Sequence, residues 1–348
     1  MAIRHGSYQP PFPYCGGKSP VADVVWEALG DVANYVEPFF GSGAVLFLRD
    51  KPGMIETVND ADGFVANFWR AVKSDVEAVA EHADNQVNEC DLHARHLWLL
   101  GQRERVTDKL AGDPDYYDAK AAGWWAWGLC CWIGGGWCSG RGPWTAENGE
   151  MVLGDPGQGV NRQRPHLGDH GRGVNRQLPH LRNPGQGDEP ETPGTCAERL
   201  DWLKSYLGWF ADRLRNVRVC CGDWFRVCGH SVTFRHGLTG VFLDPPYADT
   251  AKRTSNIYAV DCEKVAHDVR EWAIDQGKNP DMRIVLAGYE GEHTMPDDWR
   301  VHAWEAAGGY AMLGDSDGRV NKTRERLWCS PACIRTEERT LFDLECLD

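Results

Sequence analysis

The chain has 348 residues, 42% of them apolar, and a formal net charge of −14. That length suits one large domain or two smaller ones with a sizeable core. The acidic balance argues against diffuse attraction to nucleic acid, so a DNA-binding surface would have to be local. No run of about 18 apolar residues offers a membrane span; the longest candidate, "GWWAWGLCCWIGGGW" at residues 123–137, is short and glycine-rich.

The opening residues, "MAIRHGSYQPPFPYCGGK", lack the apolar centre of a signal peptide. A cytoplasmic protein is expected. Thirteen cysteines, an odd number with Cys130–Cys131 and Cys220–Cys221 adjacent, fit free thiols in a reducing compartment better than a disulfide framework. Cys220, Cys221, Cys228 and His230 match no zinc spacing, and no metal is expected.

In chain order, residues 34–40 ("NYVEPFF") read as a strand entering a turn and residues 54–60 ("MIETVND") as a second strand. Residues 63–83 carry Phe64, Phe68, Val72, Val76 and Val79 at helical spacing, which predicts one helix. From about residue 85 to 195 the character changes. A tryptophan- and glycine-rich block around residues 124–144 precedes a glycine-, proline- and arginine-rich tract. Within that tract "GQGVNRQRPHL" (157–167) is echoed by "GRGVNRQLPHL" (171–181), and loop structure is expected there.

Strand and helix patterns then resume. Leu200, Leu203, Leu207, Phe210 and Leu214 define an amphipathic helix; "VRVCCGD" and "GVFLD" are strands; Val265, Val269 and Trp272 mark another helix; "RIVLAGY" is a further strand. "WRVHAWEA" and "RERLWCS" complete the expected sheet. The alternation predicts a parallel α/β domain. It would consist of residues 1–85 and 196–348, with residues 86–195 inserted.

Four short elements stand out along this frame. "YCGGK" (14–18) sets an aromatic and two glycines beside a lysine. "EPFFGSG" (37–43) puts a Gly-x-Gly turn after the first strand, where backbone can approach a ligand closely. Asp60 ends the second strand, the position from which an acid accepts hydrogen bonds from ribose hydroxyls, although an N-cap would place an acid there as well. "LDPPY" (243–247) ends a buried strand in a proline-locked corner that holds one carboxylate and one phenol rigidly.

The order and spacing of these four elements resemble the Dam-type (D12 class) DNA adenine-N6 methyltransferases. The resemblance covers about residues 8–70 and 200–290, with "RERLWCS" similar to the family's closing strand. It implies a Rossmann-like, S-adenosylmethionine-dependent methyltransferase fold interrupted by a target-recognition module. Where that module carries an aromatic-Asn-Gly-Leu-x-Arg element in the family, this chain has "CCWIGGGWCSGRG" and departs from it.

On the resemblance, S-adenosylmethionine lies against Gly41 and Gly43. Tyr14, Gly16, Gly17 and Lys18 enclose its methionine end, Glu37, Pro38 and Phe39 line the same pocket, Asp60 binds the ribose, and Asp223 contacts the adenine side. The target is an exocyclic amine, a poor nucleophile because its lone pair is delocalised into the ring. The Asp244 carboxylate and the Pro245 carbonyl each accept one amine hydrogen, and the carboxylate stabilises the charge that develops on nitrogen. Pro246 keeps the corner rigid, Tyr247 stacks on the base, and the base must leave the duplex.

The partner implied is double-stranded DNA, with a monomeric enzyme expected and a restriction nuclease as a further partner left open. Arg162, Arg164, Arg172, Arg176 and Arg182 face a single acid, Asp169, within residues 159–183, a basic stretch suited to phosphates or a groove. A solvated loop without contacts is the competing reading. Lys252 and Arg253, in "AKRTSN", form a second basic loop after the corner. Core packing is expected for most of the tryptophans. Two alternatives stay open: cytosine N4 as the methylated amine, and a DNA-binding relative that has lost methyl transfer.

Overall fold

The computed structural model describes residues 10–14, 17–132, 137–138, 144–147, 150–153, 196–246, 264–304 and 324–335. After a 3-10 turn, helix α1 spans Ala22–Leu29 and is followed by β1 (Asn34–Glu37), the short α2 (Ala44–Phe47) and β2 (Ile55–Asp60). Helices α3 (Gly63–Ser74), α4 (Val76–Ala83), α5 (Glu89–Gly112) and α6 (Ala119–Cys131) come next, then a hairpin of β3 (Trp144–Glu147) and β4 (Glu150–Leu153). The chain continues through α7 (Cys196–Leu214), β5 (Val217–Cys221), β6 (Thr239–Leu243), α8 (Val265–Gln276), β7 (Met282–Tyr289), β8 (Arg300–Ala303) and β9 (Glu325–Cys329).

Seven strands form one sheet in the order β5-β2-β1-β6-β7-β9-β8. The first five are mutually parallel, and β9 runs antiparallel to both β7 and β8. Successive side chains on a strand point to opposite faces, and here they enter two separate cores. Tyr35, Phe242, Val285 and Ala287 join a core built with α1 to α7; Val36, Val241, Leu243, Ile284 and Leu286 join one that includes Val269 and Ala273 of α8 and Trp224. A parallel sheet needs both faces covered, and the near-continuous apolar runs of β6 and β7 are the sequence correlate.

The strand order reverses between β1 and β6: from β1 the chain proceeds outward through β2 and β5, then returns to β6 on the other side. Connections leave in opposite directions at that point, so a crevice opens at the carboxyl ends of the two strands, the usual ligand position in doubly wound sheets.

The single helix expected over residues 63–83 is two helices. Asp75, at φ −153°, interrupts the run, and its side chain accepts a hydrogen bond from the Ala78 N–H to start α4. The apolar period survives the break, which hid it. The expected insert contributes directly to the main fold: Leu92, Leu99, Val106 and Leu110 of α5 and Ala121, Trp125 and Trp127 of α6 share the core of the sheet-covering helices. Trp125, Trp127 and Trp137 are buried, as expected for core tryptophans. The repeat tract lies outside the described residues. Among the described residues no helix is long and apolar enough to cross a membrane.

Candidate active site

Each of the four strands around the reversal point delivers an acid to the same edge of the sheet. Glu37 is the last residue of β1 and Asp60 the last of β2; Asp223 follows β5 by two residues and Asp244 follows β6 directly. All four line one cavity, together with Tyr14, Gly17, Lys18, Pro38, Phe39, Gly41 and Pro246. Residues remote in sequence thus converge because parallel strands end in register.

Hydrogen bonds hold this rim together. Asn59 donates from Nδ2 to the carbonyls of Pro38 (3.1 Å) and Gly222 (3.0 Å), tying the ends of β1 and β5 to β2. Asp60 accepts the Gly41 N–H at Oδ2 (2.8 Å) and the Asp62 N–H at Oδ1 (2.9 Å). The helix cap is Asp62, which accepts the Phe64 N–H at 2.9 Å. Asp60 therefore braces the glycine turn and does not cap α3. Asp223 accepts the Phe225 N–H and starts a 3-10 turn that brings Trp224 onto the cavity wall, stacked on Phe39 with ring centroids 6.3 Å apart.

The two glycines of the turn have different work. Gly41 has φ +48°, and a Cβ there would come 2.6 Å from the Tyr14 ring, so the turn and the aromatic of the first motif touch directly. Gly43 has φ +75° and is the N-cap of α2; a Cβ would strike Phe47 and Phe40. Gly43 is not among the residues that line the cavity, and packing of Phe40 and Phe47 under the turn calls for its missing Cβ. Pro245 is buried and likewise off the lining, whereas Pro246 is on it. Gly16, Tyr247, Lys252, Arg253, Arg162, Arg164, Arg172, Arg176 and Arg182 fall outside the described residues.

The electrostatics are dominated by crowded carboxyl groups. Among the described residues, Glu37, Asp60, Asp62, Asp223 and Asp244 share the lining with one cation, Lys18. Burial pushes Glu37 well above the ordinary carboxylate range, with Asp244 and Asp60 adding repulsion against the hydrogen bond from the Tyr35 hydroxyl (2.9 Å). Burial likewise raises Asp60 to about 7, despite two backbone donors that favour its ionised form. Lys18 is 4% exposed and its Nζ lies 2.9 Å from Asp244 Oδ2. Burial lowers its pKa, but Asp244 and Glu325 together outweigh that, and Lys18 remains raised.

Sequence reasoning put Lys18 in the cavity but not against Asp244, and it passed over Asp62, Trp224, Phe242 and Val265. The only local signal for Trp224 is its place beside Asp223. Phe242 and Val265 read simply as core.

Residues 14–98 match the family model of the D12 class N6 adenine-specific DNA methyltransferases. The matched stretch holds Tyr14, Lys18, Glu37, Gly41 and Asp60; Asp223 and Asp244 lie beyond it and join those residues only through the fold. No curated protein matches the chain.

Proposed function

We propose that this chain is a DNA methyltransferase that uses S-adenosylmethionine to methylate the exocyclic N6 of an adenine extruded from double-stranded DNA. The observation that carries the reading is the convergence of Asp244 and Pro246, from the proline corner, with Glu37, Gly41 and Asp60 in one crevice at the strand reversal. The family match over residues 14–98 supports it independently.

The walls suit the cofactor chemically. Among the described residues, five carboxyl groups against one ammonium favour a cationic ligand, Asp60 offers acceptors to ribose hydroxyls, and Phe39, Trp224, Phe242 and Val265 offer apolar and aromatic surface to a purine. The missing Cβ at Gly41 lets the Tyr14 ring pack against the turn at the cavity. Glu37, Gly41, Asp60 and Asp223 would hold the cofactor, with Tyr14, Gly16 and Gly17 closing over it. When bound, it supplies an electrophilic methyl group; no metal is needed.

The protein's own part is to make the amine nucleophilic. Asp244 accepts one amine hydrogen and stabilises the positive charge that develops on nitrogen. The Pro245 carbonyl accepts the other, so the lone pair is drawn out of the ring. Lys18 holds Asp244 at Oδ2, and a carboxylate retains acceptor capacity on its second oxygen while one is so engaged. Lys18 thereby orients the carboxylate as well as lining the cavity. Tyr247 stacks on the base, and the arginines of the repeat tract with Lys252 and Arg253 contact phosphate. A cytoplasmic setting in a bacterium, or in an infected bacterial cell, supplies both DNA and cofactor.

Expression in a methylation-free bacterial host, followed by nucleoside analysis of its DNA, tests the reading. N6-methyladenine supports it. N4-methylcytosine would reassign the target amine, and no modified base together with no cofactor binding would favour a DNA-binding relative without activity.

A further inference from the structure

The cavity is connected to the tryptophan block by a continuous series of polar contacts. Asp60 accepts the Asp62 N–H, and Asp62 Oδ1 faces Arg103 Nη1 of α5 at 3.4 Å. Arg103 Nη2 donates to the Cys138 carbonyl, and its guanidinium lies 4.8 Å from the centroid of the Phe64 ring. The Cys138 N–H lies 3.4 Å from Nδ1 of buried His96, whose ring stacks on Trp132 with centroids 4.9 Å apart and planes 11° from parallel.

Two features mark this junction as tightly constrained. Cys138 sits at φ +52°, a conformation that a residue with a side chain adopts only under constraint, and among the described residues no other non-glycine has positive φ. Trp137 is seated against α6 where Gly128 leaves no Cβ, and its Nε1 donates to the Trp125 carbonyl at 3.0 Å. Arg103 holds Cys138 by its carbonyl next to that seat. A guanidinium can grip a carboxylate and a carbonyl with different nitrogens at once, which a lysine ammonium does far less well.

We infer that Arg103 is a positioning residue that couples occupancy of the cofactor cavity to the tryptophan block through Asp62 and Cys138. The inference rests on the cofactor reading above. Ribose hydroxyls that engage Asp60 share its oxygens with the Gly41 and Asp62 N–H groups. Their arrival shifts or stiffens the Asp60–Asp62 turn, Arg103 follows Asp62, and the Cys138 backbone is held more firmly. Trp137, next to Cys138 and seated against α6, is then fixed more firmly when cofactor is present.

Hydrogen exchange of the full chain with and without S-adenosylhomocysteine tests this. In the wild type, the ligand is expected to slow exchange at least about tenfold both around Gly41 and Asp60 and in peptides carrying Trp137 and Cys138. In Arg103→Gln, and in Arg103→Lys as a charge-keeping second variant, slowing near Gly41 persists and slowing at Trp137 and Cys138 falls below about twofold. Circular dichroism checks that each variant is folded; should neither fold, the wild-type comparison decides. Protection that stops at the cofactor turn in the wild type, or that reaches Cys138 equally in folded Arg103→Gln, overturns the inference. No protection anywhere in the wild type refutes the cofactor reading, and the inference falls with it.

Discussion

Lys18 Nζ stands 2.9 Å from Asp244 Oδ2, joining the first motif of the chain to the corner on which the proposed chemistry depends. The lysine is almost fully buried and the carboxylate nearly so, and Glu325 contributes a second negative charge. Removing one partner of a buried ion pair leaves an uncompensated charge and costs about 3 kcal/mol or more. Lys18→Met and Asp244→Asn are each expected to destabilise the protein on that scale, and the double variant by clearly less than their sum, with a coupling of about 1–3 kcal/mol. Urea denaturation of the four proteins measures it. Simple additivity would mean that the two groups do not depend on one another.

Asp60 supplies a pH dependence. Its raised pKa of about 7 means that the folded, empty protein retains a proton that the unfolded chain loses near pH 4, so this group lowers stability as pH rises between those values. Ribose hydroxyls need the ionised form, so affinity for S-adenosylhomocysteine is expected to fall as pH drops below 7, by up to about tenfold per unit. Asp60→Asn should bind weakly with a flat profile. Calorimetric titration across the range is the measurement; a flat wild-type profile would contradict the raised pKa, and wild-type affinity in Asp60→Asn would remove Asp60 from cofactor binding.

Gly41 tests the close approach of the turn to the first motif. At φ +48° an alanine costs about 1–2 kcal/mol of backbone strain, and its Cβ would come 2.6 Å from the Tyr14 ring. Gly41→Ala is expected to weaken cofactor binding about tenfold or more through displacement of Tyr14, beyond the loss of stability. Unchanged affinity in a folded variant would show that Tyr14 does not help to close the cavity.

The sheet and the acids of its carboxyl edge were legible in the sequence because each acid stands at or just after the end of a short strand-like run. β1, β2, β5 and β6 end in Glu37, Asp60, Asp223 and Asp244 or a residue or two before them, and such punctuation is visible without a fold. The Lys18–Asp244 pair was not legible, because it depends on which strand lies beside β1, and strand order is not a local property. Asp75 was hidden for the opposite reason: Val72 and Val79 keep helical phase across it, so periodicity runs through a real break. The roles of α5 and α6 were obscured by composition. Core packing was expected for most of the tryptophans, but not that Trp125 and Trp127 would share one core with α3 and α4.

The repeat tract is testable from its charge alone. Each phosphate contact contributes about −0.9 to the slope of log K against log salt, so five engaged arginines contribute roughly −4 to −5. Replacing residues 159–183 by a short Gly/Ser linker should flatten the slope by much of that amount and leave cofactor affinity unchanged. An unaltered slope would move the DNA surface to the tryptophan block and the loop carrying Lys252 and Arg253.

The most direct test joins the corner to its product. DNA from a methylation-free host expressing the wild type or Asp244→Ala is hydrolysed to nucleosides and analysed by mass spectrometry, with S-adenosylhomocysteine affinity measured on both purified proteins. The expected result is N6-methyladenine with the wild type, a fall of at least about 10²–10³ in rate with Asp244→Ala, and cofactor affinities within a few-fold of one another. Near-native N6-methyladenine from folded Asp244→Ala, or none from a wild type that binds the cofactor, would contradict it.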